Sequence, residues 1–307
     1  MTARDRADGA RAEGPRVAVL GGTGFLGRRV VDSLLGAGAR VTLAARNPQA
    51  VSGLPDGEHL RRVKADIRDR ATLDRALDGA DATVDCVGLY RERRGLSFAD
   101  IHVDGARRWA EAAAAAGVRR LVLVSGIGAD PHARDAYVRA RGEGEAAVRC
   151  VRPDACIVRP SVMFSHEGAF IDALADLVRQ APVVPLFGRG QTRLQPVDVE
   201  DVATAIARIL TGREAPLPLY ELGGPHTYTF RDLVQRVATR QGLRRPLLPV
   251  PFALWRAAAA VAQMLPAPPV TTGQVALMER DNVVGEGVGT FADLGIRPRA
   301  AEELGLI

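Results

Sequence analysis

The sequence predicts an α/β protein built on a doubly wound parallel sheet, and three features point to it. From Arg16 onward, short β-branched or leucine-rich runs alternate with longer Ala- and Arg-rich segments of helical period. A glycine-rich turn, Gly21 to Gly27, joins the first run to the first helical segment. Beyond Pro160 the alternation weakens and prolines become frequent, as expected of a smaller second lobe.

The predicted strands are Arg16 to Leu20, Arg40 to Ala45, Leu60 to Ala65, Ala82 to Cys86, Arg120 to Ser125 and Ala155 to Arg159. Between them lie predicted helices at Phe25 to Leu35, Arg70 to Leu77, Phe98 to Ala116 and Asp135 to Arg149. Further helices are expected at Ala169 to Gln180, Val199 to Leu210, Phe230 to Gln241 and Pro251 to Leu265. Residues 1–15 read as a disordered tail, 16–160 as the sheet domain and 161–307 as a smaller lobe interleaved with it. Asp198 reads as the N-cap of the helix that follows, with Asp201 in its first turn. Trp255 and Phe252, three apart, form an apolar stripe that reads as lobe packing.

Composition narrows the classes of function. The chain has 307 residues, 47% of them hydrophobic, enough for a full core and a second lobe. Basic residues number 41 against 36 acidic, but the signs are interleaved, which argues against a nucleic-acid protein. The tightest basic cluster, Arg91 to Arg94, reads as a loop rim or a contact for an anionic group. Cys86, Cys150 and Cys156 show no metal or disulfide spacing, and a reducing, cytoplasmic setting follows. No histidine pair has ligand spacing; His102, His132 and His166 read as loop or helix residues, and no metal site is expected. The first residues fit neither a secretory signal nor a transit peptide. Leu247 to Leu265, broken by Pro249, Pro251 and Arg256, is a poor transmembrane span but could lie on a membrane or partner surface.

Within the glycine-rich turn, Gly21, Gly24 and Gly27 are spaced G-x-x-G-x-x-G between a strand and a helix, with Thr23, Phe25 and Leu26 among them. That is the context of a Rossmann-type dinucleotide site. Gly21 permits the turn, Gly24 admits the pyrophosphate and Gly27 brings the helix close to the strand. An acidic residue at the end of the second strand would hold the ribose 2′-hydroxyl of NAD; Arg46 stands there instead. Its guanidinium suits a 2′-phosphate, which favours NADP(H) over NAD(H), although a surface arginine is the plainer reading. Asp66 and Ile67 follow the third strand, with Asp66 placed to meet the adenine edge or to cap a helix. Val87 and Gly88 end the fourth strand, where small residues let a ribose pass.

These residues resemble the extended, atypical branch of the short-chain dehydrogenase/reductase superfamily, of the NAD-dependent epimerase/dehydratase type. Val124 to Asp130, Val158 to Ser161, Gly190 to Val197, Tyr220 to Pro225 and Arg280 to Val284 are similar to bacterial relatives of the nucleotide-binding accessory subunit of respiratory complex I. The resemblance implies tightly held NADP(H), with Pro160 beside the cofactor, and a link to quinone or respiratory metabolism. It also implies a respiratory or membrane-peripheral partner. In active members a serine orients the substrate carbonyl, a tyrosine moves the proton, and a lysine four residues on holds the ribose. Here Ser125 and Tyr137 match, but Arg141 takes the lysine's place.

A unit charge about 4 Å away stabilises a phenolate by about 4 kcal/mol at intermediate dielectric, so electrostatics alone does not exclude catalysis. The bulk and planarity of arginine are the stronger objection, as is its inability to pass on a proton. Lys64 is the only lysine in the chain, so a retained lysine would have been expected where chemistry required one. Two readings stand: hydride transfer between NADP(H) and a carbonyl or quinone-like substrate, and a cofactor-loaded accessory protein without turnover. Nucleotide-sugar epimerisation and redox sensing are lesser alternatives. Arg193 and Gln195 occupy a stretch that faces the substrate in extended members, with a surface ion pair as the other reading of Arg193.

Overall fold

The computed structural model describes residues 14–51, 53–54, 57–165, 168–262 and 270–307. Most of the expected tail, His166 and the last three residues of the expected helix Pro251 to Leu265 lie outside this range. Val17, Ala18, Val19 and Leu20 are all buried, so the first strand is covered on both faces, as a parallel sheet requires.

Six strands of the central sheet come from the first half: β1 (Arg16–Leu20), β2 (Arg40–Ala45), β3 (Leu60–Lys64), β4 (Ala82–Asp85), β5 (Arg120–Val124) and β6 (Cys156–Pro160). Helices α1 (Gly27–Gly36), α2 (Arg70–Leu77), α3 (Asp104–Ala115) and α4 (Ala136–Val151) connect them. The second half adds β7 (Met163–Ser165), β8 (Gly168–Ala169), α5 (Phe170–Gln180), β9 (Val184–Phe187), β10 (Arg193–Leu194), β11 (Val197–Asp198) and α6 (Val199–Thr211). After these come β12 (Leu219–Leu222), β13 (Tyr228–Thr229), α7 (Phe230–Arg240), β14 (Leu247–Val250), α8 (Phe252–Ala262) and α9 (Thr272–Met278).

The central sheet has seven parallel strands in the order β12-β6-β5-β4-β1-β2-β3. Strand order reverses between β1 and β4, which opens a crevice at their carboxyl ends. The alternation of side chains sorts the core: Val17 and Val19 pack with α1 and α6, whereas Ala18 and Leu20 pack with α2, α3 and Val148 of α4. A third core, around Phe164, Leu186 and Leu233, lies within the second half.

The sequence reading gave no place to α9 or to the short strands β7–β11, β13 and β14, and three further details of the sheet domain depart from it. The sheet has a seventh strand, β12, which pairs Leu219 to Leu222 with Ile157 to Pro160. Phe25 and Leu26 belong to the turn, and α1 starts at Gly27. The helix expected from Phe98 is entered through a π-helical turn, Ala99–Val103, before α3. Asp198 caps α6 by accepting from the Glu200 N–H at 3.0 Å, and Arg299 pairs with both Asp198 and Asp201.

Candidate functional site

Gly21 adopts φ +70°, a left-handed conformation that glycine reaches without strain, and turns the chain out of β1. A Cβ on Gly27 would stand 2.2 Å from the Gly21 carbonyl oxygen, so the first turn of α1 can lie on the loop only as glycine. No side chain caps the N-terminus of α1; the Arg28 and Arg29 N–H groups donate to the Gly24 and Leu26 carbonyls at 3.1 and 3.0 Å, and the positive end of the helix dipole faces the turn. This cradle fits a dinucleotide pyrophosphate.

A cavity of about 200 Å³ opens beside the turn. It gathers eight of the expected cofactor residues: Gly21, Thr23, Gly24, Arg46, Asp66, Ile67, Val87 and Gly88. Phe25, Leu26, Gly27 and Pro160 do not line it. Phe25 lies under the Arg29 guanidinium at 4.6 Å, Leu26 is buried in the core, and Pro160 pairs with Leu222 at the end of β6.

Asp66 is not a helix cap; Asp69 caps α2, accepting from the Ala71 N–H at 3.0 Å. Arg68 donates to both Asp66 carboxylate oxygens, at 3.0 and 2.7 Å, and so holds that carboxyl below its ordinary range. Arg68 also lines the cavity, a cation on the same rim as Arg46 that sequence reasoning missed. Its signal was the Asp-x-Arg spacing, which brings the guanidinium back onto the carboxylate. Arg46 makes no hydrogen bond or ion pair among the described residues, and its charge reaches Asp66 through space.

Asp135 caps α4, accepting from the Tyr137 and Val138 N–H groups at 3.0 and 3.1 Å, and so fixes the helix that carries Tyr137 and Arg141. Arg141 reaches the Tyr137 hydroxyl with one nitrogen and the Val124 carbonyl with another, both at 3.4 Å. It therefore spans from the tyrosine to the end of β5, where the Ser125 hydroxyl is buried with no hydrogen-bond partner among the described residues. Burial raises the Tyr137 pKa above its ordinary value, and the nearby Arg141 charge only partly offsets this. Proximity of the cation is therefore outweighed by desolvation.

His102, on the π-helical turn, is buried, and its ring meets that of Tyr137 edge-on at 5.7 Å. Desolvation and the Arg141 charge push its pKa down to about 4. Phe98 and Tyr90 stand 5.4 and 5.9 Å from the Tyr137 ring and complete an aromatic enclosure. Asp85, fully buried at the end of β4, accepts from the Val87 N–H at 2.8 Å, and burial pushes it up to about 7. Sequence reading placed His102 only as a loop or helix residue and did not single out Asp85.

Arg193 and Gln195 do not reach this region. Arg193 pairs with Asp281 at 2.8 Å on the surface. Gln195 is held at both ends of its amide, donating to the Gly224 carbonyl at 2.7 Å and accepting from the Val284 N–H at 3.0 Å. Between them sits Asn282, whose side chain accepts from Ser161 Oγ at 2.5 Å and from the Val162 N–H at 3.0 Å, and donates to the Ile127 carbonyl at 3.3 Å. It ties the ends of β5 and β6 to the second half. A larger cavity of about 520 Å³ lies next to it, lined by Ile127, Asp135, Val138, Thr272 and Arg280 among others. It excludes Ser125, Tyr137 and Arg141.

Residues 21–213 match the family described as NAD(P)H-binding. The 40 kDa subunit of mitochondrial NADH-ubiquinone oxidoreductase from Neurospora crassa is 29% identical over 289 residues, spanning 93% of this chain and 76% of that protein. A ceramide reductase from Caulobacter vibrioides is 32% identical over 237 residues, 76% of this chain and 73% of its own. Among solved structures, the NADPH-dependent quinone oxidoreductase of Escherichia coli, complexed with NADPH, superposes with a TM-score of 0.73 at 20% identity, over 94% of this chain and 98% of that one. By its glycine turn, its seven-stranded sheet and these matches, the chain belongs to the NAD(P)H-binding family.

Proposed function

We propose that the protein is an NADP(H)-dependent oxidoreductase that reduces a carbonyl or quinone-like acceptor. The observation that carries this reading is the group at the end of β5. There the Ser125 hydroxyl is buried without a partner among the described residues, beside an Arg141 that bridges Val124 and the Tyr137 hydroxyl. An acceptor oxygen would satisfy the orphaned serine. Bound in the cleft, the nicotinamide supplies the hydride. Tyr137, kept protonated by burial, donates its proton to the oxygen as negative charge develops there, which favours the reductive direction. Arg141 stabilises that charge and, unable to give up its own proton, leaves the phenol to be reloaded from solvent. Arg46 and Arg68 favour the 2′-phosphate of NADP(H). In this reading residues 16–160 hold the cofactor and 161–307 form the substrate lobe, interleaved through α6 and β12.

The aromatic enclosure favours a second reading. With Tyr137 only 8% exposed behind Phe98, His102 and Tyr90, the cofactor would act as a structural staple in a cytoplasmic accessory protein with a respiratory or membrane-peripheral partner.

Single-turnover absorbance of NADPH-loaded protein mixed in turn with quinones, carbonyl compounds and nucleotide sugars separates the two. Oxidation by a quinone or carbonyl is expected, slowed about 10²- to 10⁴-fold in Tyr137→Phe with NADPH affinity unchanged. If no class oxidises the bound cofactor, the accessory reading replaces the enzymatic one.

A further inference from the structure

Helix α8 (Phe252–Ala262) has one charged residue, Arg256, in eleven, so it has no polar face to offer water. Its inner side is anchored. Trp255 donates its indole N–H to the Leu186 carbonyl at 2.9 Å and stacks on Phe187 at 4.5 Å, while Ala259 is fully buried. The opposite stripe, Leu254, Ala257, Ala258 and Val261, has the spacing of one helical face and is exposed, Leu254 to 60% and Val261 to 68%. Leu248 of β14 and Val183, which immediately precedes β9, are exposed as well.

Charge on this part of the chain is one-sided. From Leu233 to Met278 the sequence contains no acidic residue but five arginines: Arg236, Arg240, Arg244, Arg245 and Arg256. Arg236 and Arg256 are neutralised by Glu302 and Glu279. Arg240 and Arg244 form no ion pair among the described residues, whereas Arg245 donates to the Val178 and Arg179 carbonyls of α5 at 3.0 and 3.3 Å; the exposed Arg244 stands just before β14, which leads into α8. An apolar helix face with an uncompensated basic approach is the chemistry of an interfacial element on a negatively charged bilayer. No helix among the described residues is long and apolar enough to cross one.

We propose that the outer face of α8, with Arg244 at its approach, docks the protein onto an anionic lipid bilayer. The test is flotation of the full-length protein with vesicles of phosphatidylcholine alone and of phosphatidylcholine mixed with phosphatidylglycerol, alongside sedimentation velocity without lipid. Selective flotation with the anionic vesicles is expected. It should weaken about tenfold in Arg244→Glu and on the order of a hundredfold in Leu254→Glu/Val261→Glu. Leu217→Glu, an exposed apolar residue outside this surface, should float as the wild type does. Circular dichroism of each variant checks that the fold is kept. Absence of flotation, or flotation undiminished in the double variant, overturns the proposal. A dimer in sedimentation that the double variant abolishes, with no flotation, would assign the face to a second copy of the chain instead.

Discussion

At the scale of single residues, the buried groups around Arg141 set a pH dependence that can be worked out by sign. Burial lifts Asp85 from 3.8 to about 7, so the native state keeps a proton that the unfolded chain loses above 3.8. Its contribution to stability is complete at low pH and lost as pH rises toward 7. His102 works in the opposite sense. Pushed from 6.5 down to about 4, it refuses a proton that the unfolded chain binds, so stability falls as pH drops from 6.5 toward 4. In that window the two slopes, each about 1.4 kcal/mol per pH unit, oppose one another. Asp85→Asn should therefore lose stability on acidification about 1.4 kcal/mol per pH unit more steeply than the wild type, as measured by urea unfolding between pH 6.5 and 4. Parallel curves would contradict the assignment of Asp85. Arg46→Asp should weaken NADPH binding by about 1.5–3 kcal/mol, the worth of a hydrogen bond to a charged group, and leave NADH binding intact in calorimetry. Equal losses for both cofactors would mean that Arg46 does not meet the 2′-phosphate.

At the scale of elements, α4 is held by a buried ionic cluster. Arg159 on β6 grips Glu145 of α4 through two hydrogen bonds, at 2.9 and 2.7 Å, and reaches Glu221 of β12 at 3.3 Å. Glu221 in turn accepts from the Gly285 N–H at 2.9 Å. Arg159→Ala strands two buried carboxylates and should cost roughly 3–5 kcal/mol in urea unfolding. Neutralising all three together, with Arg159→Met, Glu145→Gln and Glu221→Gln, should cost less; an equal or greater loss would show that the charges stabilise on balance. Two glycines inside α4 serve packing. A Cβ on Gly144 would lie 1.9 Å from the His102 carbonyl oxygen, and one on Gly142 would lie 2.3 Å from the Pro131 nitrogen. Gly144→Ala should cost about 1–3 kcal/mol as the helix is pushed off the π-helical turn; a stabilised variant would refute that close approach. Periodicity made α4 and six strands of the sheet legible in the sequence, and glycine spacing did the same for the turn; the Asp135 cap was not read. Periodicity could not show the seventh strand, because Leu219 to Leu222 is four residues long and acquires its identity only by pairing with β6. Nor could it show His102 as part of the site, because packing against Tyr137 of α4 gives it its place; Asp85 is marked by its burial in the sheet, which only the assembled core supplies, whereas Arg68 was legible in the Asp-x-Arg spacing and went unread.

At the scale of the whole molecule, a cofactor that binds only the native state should stabilise it by about 4 kcal/mol at a thousandfold excess over Kd. A thermal scan with saturating NADPH is expected to show a clear rise in Tm, and an unchanged Tm would argue against a cofactor that braces the fold. The two halves are not assembled in the order in which they are written. Asn282 closes onto Ser161 across 121 positions of sequence, a stretch that a ribosome takes roughly 6 to 24 s to deliver. For the part of that time before β12 is delivered, a nascent chain carries its finished glycine turn and six of the seven strands of its sheet with one flank open. Maturation of this protein is then a race between translation and whatever in the cell recognises an unfinished sheet edge.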